Sequence, residues 1–186
     1  QLITSWTAFK NSFGDFQVAQ NGKPVPAHAT LAHAVYGFFN NGGTRCWATR
    51  MNGNLTKNNV EKALADFGAI DEIALVAVPG ALDAAIQAAV IDHCENMGDR
   101  FAILDGHQTE KKTTKDIKGT VRDSNYAALY YPWIDVGEQD QDNNIVYVPP
   151  SGHLAGIYAR VDGERGVHKA PANEVIRGAL GVEKRL

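Results

Sequence analysis

Ser151, Asp105, His107 and His153 supply every residue type of a Ser-His-Asp triad, and Ser151 stands where a strand turns into a helix. The local context argues against a nucleophile. Ser151 follows Pro149-Pro150 instead of sitting in a Gly-x-Ser-x-Gly elbow, and a role as the N-cap of the next helix accounts for its hydroxyl. An α/β hydrolase-like enzyme using Ser151 is therefore the alternative reading, behind a non-catalytic one. Metal chemistry has less support: the six histidines are scattered, none forms a His-x-x-x-His pair with a nearby carboxylate, and Cys46 and Cys94 lack a CxxC partner. Pro79-Gly80 is neither a dinucleotide fingerprint nor a P-loop, and Gly42-Gly43 precedes a strand, the wrong side for phosphate on a helix N-terminus. The acidic stretch Glu138 to Asn143 lacks the glycine and terminal glutamate of a calcium loop and reads as an exposed turn. Asp162, Glu164, Arg165, His168 and Lys169 form a dense charged run, read as a ridge of ion pairs within or between subunits. The expectation is no catalytic residue, no cofactor and no metal.

The elements that must carry these residues follow from periodicity. Ser5 caps a helix through Trp6, Phe9 and Phe13 that Gly14 ends, and Asp15 to Ala27, with Asn21-Gly22, is a surface turn. Ala29 to Phe39 fits a tightly packed helix, and Thr44 to Met51 a strand central to a sheet. Thr56 caps a helix with Val60, Leu64 and Phe67 inward. Then Glu72 to Val78, a helix from Leu82 to Met97, and Arg100 to Leu104 alternate as strand, helix and strand, which implies a parallel sheet with right-handed crossovers. His107 to Asn125, with Lys111, Lys112, Lys115 and Lys118, is a solvated loop. Tyr126 to Ile134, ending near Pro132, and Asn144 to Val148 are buried strands. A helix from Ser151 has Leu154, Ile157, Tyr158 and Val161 on one face, and Gly152, Ala155, Gly156 and Ala159 as a small-residue stripe for close approach to a sheet or helix. Pro171 and Asn173 begin a last short helix with Val175, Ile176, Ala179 and Leu180 inward, closed by Gly181. The fold class is α/β, a mostly parallel or mixed sheet with helices on both faces.

Composition agrees with a globular body. The chain has 186 residues, 44% of them hydrophobic and 21% charged, enough for a sizeable core. A net charge of −3 gives no electrostatic case for nucleic acid or an anionic membrane, and no apolar run approaches the roughly 18 residues of a membrane span. Two cysteines are too few for a disulfide framework and read as reduced core residues. One domain over 1–186 is expected, with Gln1–Asn54 a smaller N-terminal part and Leu55–Leu186 the main α/β body. Both ends read as cut, Gln1 being an unusual start and Leu2-Ile3-Thr4 the tail of a strand.

The run PPSGHLAGIYARVDGERGVHKAPANEVIRGALGV, with LITSWTAFKNSFG, AVYGFFNNGGTRCWATRM, ALVAVPG, RFAILDG and YAALYYPWI upstream in order, resembles the tail sheath proteins of contractile bacteriophages and related contractile injection systems. The resemblance spans nearly the whole chain. It implies a subtilisin-like α/β core, and a structural subunit that polymerises in helical rings, hexameric ones, around an inner tail tube. It also implies association with a baseplate, and contraction that drives the tube through a target envelope without cofactors. The setting it implies is a virion tail or contractile particle assembled in the bacterial cytoplasm, with no nucleic-acid or membrane partner. The family's linking arms at both termini, which add strands to a neighbouring subunit, are the parts the chain is expected to lack, and alone it should be a monomer or weak oligomer. Arg160, Arg165 and Lys169 are candidates for subunit or tube contact.

Overall fold

Ser5 accepts a hydrogen bond from the Ala8 amide at 3.1 Å, so the first helix starts where the hydroxyl demands. The computed structural model describes residues 1–186 apart from 17–18, 21–22, 25, 52–53, 109–112, 141 and 184–186. Asn21-Gly22, Lys111 and Lys112 lie outside the described residues.

The N-terminal elements are β1 (Leu2–Ile3), α1 (Trp6–Phe13), β2 (Ala19–Gln20), β3 (Lys23–Pro24), α2 (Pro26–Asn40) and β4 (Cys46–Trp47). In this part Ile3, Phe9, Phe13, Ala32, Val35 and Ala48 form a core, in which the Phe9 and Phe13 rings stack at 5.1 Å. The expected strand from Thr44 to Met51 shrinks to Cys46–Trp47 and is not central. Its one partner is the two-residue β1, paired antiparallel through Leu2 to Trp47 and Ile3 to Cys46, and a ladder ends where its partner ends.

The body contains α3 (Lys57–Gly68), β5 (Leu75–Ala77), α4 (Ala84–Met97), β6 (Phe101–Asp105), α5 (Thr114–Lys118), β7 (Ala127–Tyr130), β8 (Ile134–Gln139), β9 (Ile145–Val148), α6 (Ser151–Arg165) and β10 (Gly181–Val182). Strands β5, β6 and β7 form a parallel sheet in that order, as the strand-helix-strand spacing predicts. Alternation along β6 separates the layers. Ala102 and Leu104 join Val60, Leu64, Val90, Ile91 and Cys94 in a core with α3 and α4. Phe101 and Asp105 face the other way, toward Tyr158 and Ser151 of α6. The sheet is thus covered by helices on both faces, an α/β arrangement. The two cysteines are free thiols in different cores, and burial pushes Cys46 up to about 11 and Cys94 to about 12.

Four expectations are corrected. The polar stretch after β6 contains α5, opened by a reciprocal capping box between Thr113 and Asp116. Tyr126 to Ile134 divides into β7 and β8, which belong to different sheets, because Pro132 has no amide to continue the ladder. In β9, Ile145 and Val146 are exposed, because the strand lies at the edge of the antiparallel order β10-β8-β9 and only Val148 is buried. No helix forms over 171–181. Val175 and Leu180 stand 75% and 76% exposed, and Gly181 pairs with Asp135 of β8 instead of closing a helix. The backbone there is spoken for by distant groups: the Arg177 amide and carbonyl bond Asn41, the Val175 carbonyl accepts from Arg160, and the Leu180 amide donates to the Asp135 carbonyl.

Candidate functional site

Asp105 is 2% exposed and ends β6 at the carboxyl edge of the parallel sheet, where open α/β folds place ligands. Its carboxylate is already engaged. Oδ2 accepts from the Gly80 amide at 2.9 Å and from Ser151 Oγ at 2.8 Å, and Oδ1 accepts from the Ser151 amide at 2.9 Å. It serves as the cap of α6 from a remote strand and occupies the helix N-terminus where an external anion would otherwise bind. This corrects the expected N-cap role of Ser151: Pro150 holds the cap position with no side-chain bond, and Ser151 is the first helical residue, donating its hydroxyl to Asp105. Burial raises Asp105 to about 6, opposed by the three donors.

The histidines of the supposed triad lie elsewhere. The His107 ring sits against Gly119 beyond α5, and its amide donates to the Ile117 carbonyl. The His153 ring is buried against Gly37 of α2, and burial lowers it to about 4. Ser151 is wholly buried, with a carboxylate and no imidazole at its hydroxyl. A serine-directed fluorophosphonate is expected to leave Ser151 unlabelled, with wild type and Ser151→Ala giving the same intact mass; a Ser151-dependent adduct would contradict this arrangement.

The charged run begins inside α6, and the chain beyond that helix folds back on it as a clasp to which the run contributes Lys169. Arg160, with its side chain 9% exposed, donates to the carbonyls of Asn41 and Val175, both at 3.1 Å, and pairs with Glu174 at 3.5 Å. Lys169 donates to Glu174 at 3.2 Å and to the carbonyls of Ala170 and Ala172. Lys169 first, then Arg160, holds the Glu174 carboxyl below the usual carboxylate range. Gly42, at φ +110, leaves room for the stem of Arg160, whose Cβ would lie 2.8 Å from an added methyl. Of the three contact candidates, Arg160 and Lys169 thus face inward to the clasp, whereas Arg165 is exposed. Buried Asn41 was not singled out by sequence reasoning; in Asn40-Asn41-Gly42-Gly43 it reads only as a helix end.

The acidic turn also serves itself: Asp140 Oδ1 accepts from the amides of Asp142 and Asn144. An open cleft of about 450 Å³ beside α5 is floored by Leu104, Ile117, Val121 and Leu129. Its rim cations are paired, Lys118 with Asp123, and Arg122 with Asp92 and Glu95. Among the described residues no group of three His, Cys, Asp or Glu is placed to hold a metal ion, and no helix is long and apolar enough to cross a membrane.

These features define an α/β body whose buried polar groups tie elements to one another. Residues 53–186 match the phage tail sheath protein central domain, and the chain belongs to that family. No curated protein sequence matches it. Among solved structures it is similar to a chain of the anti-feeding prophage baseplate, at 26% identity and a TM-score of 0.73, covering 100% of this chain and 48% of that one. The anti-feeding prophage helical sheath in its contracted state gives 26% and 0.72 with the same coverage. The contracted sheath complex of PVC, an extracellular contractile injection system, gives 30% and 0.72, covering 99% of this chain and 45% of that one. The chain spans about half the length of these proteins.

Proposed function

We propose that this chain is the central body of a contractile sheath subunit. It polymerises with copies of itself in helical rings, hexameric as the resemblance implies, around an inner tube and above a baseplate, and contraction drives the tube through a target envelope. The observation that carries this reading is the similarity of 99% of the chain to a contracted sheath complex at 30% identity. The subunit is assembled in the bacterial cytoplasm and works in the tail of a virion or related particle. The role requires no catalysis and no cofactor.

The physical basis is the contrast between body and interface. A close-packed α/β core resists internal deformation, whereas contacts between bodies can have two packings. A difference on the order of a few kcal/mol per subunit, summed over many copies, supplies the work. Gln1–Asn54 forms the smaller part, Leu55–Leu186 the main body of subtilisin-like type, and Arg165 is the candidate contact to a neighbouring subunit or the tube. The test is immunogold labelling, with an antibody raised against this chain, of particles isolated from the cells that make it. Label along the full length of extended and contracted sheaths is expected. Label confined to one end of the particle, or recovery of the chain only in the soluble fraction, would overturn the reading.

A further inference from the structure

Helices α2 and α6 pack closely against each other, and a histidine is buried in the seam between them. His153 of α6 is 2% exposed, and its ring fills the notch at Gly37, where an added Cβ would lie 2.5 Å from ring atoms. Its Nδ1 is buried without a hydrogen-bond partner. A proton placed there would create a cation with no acceptor beside it.

The surroundings offer no compensation. On α2, His33 lies one turn before Gly37 and opposes a charge on His153. His28 of the same helix is bonded to the Asp15 carbonyl, and Tyr36 packs edge-on against Trp6 and Phe16. On β8, Glu138 lies 4.0 Å from His33, so its charge serves that ring first. On β6, Asp105 is committed to Gly80 and Ser151. On α6 itself, Arg160 and Asp162 lie about two turns further on, and β5, Leu-Val-Ala, carries no charge.

We propose that the α2–α6 seam is an acid-sensitive hinge, at which protonation of His153 parts α2 from the α/β body while the sheet stays folded. Two buried groups of opposite sign make the response selective. Burial holds His153 at about 4, below its ordinary 6.5, so acid favours any state that exposes the ring. Burial holds Asp105 at about 6, above its ordinary 3.8, so acid favours the state that keeps it buried and α6 on the sheet. Parting α2 from α6 exposes the first group and leaves the second in place.

Amide hydrogen exchange on the 186-residue chain, corrected for intrinsic rates, tests this at pH 7.5 and 4.5. With His153 moving from about 4 to 6.5 on exposure, the opening equilibrium of α2 amides is expected to rise on the order of 70-fold in acid. Amides of β6 and α4 should change by less than roughly threefold. In His153→Met the acid response of α2 should fall to the smaller part that His33 supplies, since burial lowers that ring too. Should that variant fail to fold, NMR titration of the wild-type His153 ring decides: its protonation is expected to track the loss of α2 protection. An α2 opening unchanged at pH 4.5, the same acid response in His153→Met, or a His153 ring that titrates near 6.5 while α2 stays protected would overturn the hinge.

Discussion

Asp105→Ala is expected to lower the free energy of unfolding by roughly 3–5 kcal/mol, because it strands the buried amide and hydroxyl of Ser151 and the half-buried amide of Gly80. Urea unfolding followed by circular dichroism measures it. A loss below about 1 kcal/mol would mean that water or a neighbouring group replaces the carboxylate. The isosteric Asp105→Asn refines the test, since it keeps one acceptor and removes the titration. The wild-type carboxyl binds its proton more readily folded than unfolded, so its contribution to stability is fully present below the unfolded value near 3.8 and is lost as pH rises through about 6. The stability gap between wild type and Asp105→Asn should accordingly be wider at pH 5 than at pH 7, by roughly 1 kcal/mol. Comparing the two proteins at each pH cancels the opposing titration of His153. A gap that narrows in acid would mean that the three donors outweigh burial at this carboxylate.

What the sequence made legible was what its nearest neighbours determine. Ser5 and Thr56 cap their helices through amides three residues away, and the apolar runs of β5 and β6 become parallel strands. The stripe of Gly152 and Gly156 announced a close approach, although the partner, α2, was not specified. Some errors are local, as at α5, whose capping box joins Thr113 to Asp116 only three residues on, but the larger ones fall where distant partners decide. Residues 171–181 have helical periodicity, yet Asn41 and Arg177 meet across 136 positions, and a backbone bonded to remote side chains cannot also make helical bonds. Asp105 and Ser151, picked out for a triad, do meet across 46 positions. Their residue types alone could not tell a nucleophile and its orienting acid from a carboxylate capping a helix. Only the position of the imidazoles, one behind α5 and one behind α2, separates the two.

One substitution made at three glycines of α6 should give opposite signs, and this bears directly on whether the seam is the close packing described. An alanine methyl at Gly156 would lie 2.3 Å from the Phe38 carbonyl oxygen, and one at Gly152 would lie 2.4 Å from the Ala34 backbone, so in both cases the obstacle is main chain that cannot rotate aside. At Gly163, on the same helix, an added methyl meets nothing within 4 Å. Intrinsic helix propensity favours alanine by about 1 kcal/mol at each site. Only at Gly163 does that gain survive, so Gly163→Ala should raise the melting temperature by about 2–4 °C. At Gly152 and Gly156 the overpacking term, about 1–3 kcal/mol and larger where backbone must move, exceeds the gain. Gly156→Ala should lower stability by at least about 1–2 kcal/mol, and the Gly152→Ala, Gly156→Ala double variant should lose the docking of α2 altogether, read as loss of α2 amide protection with β6 still protected. Equal stabilisation at all three positions would mean that α2 and α6 do not touch through their backbones, and with it the notch that confines the His153 ring would be gone.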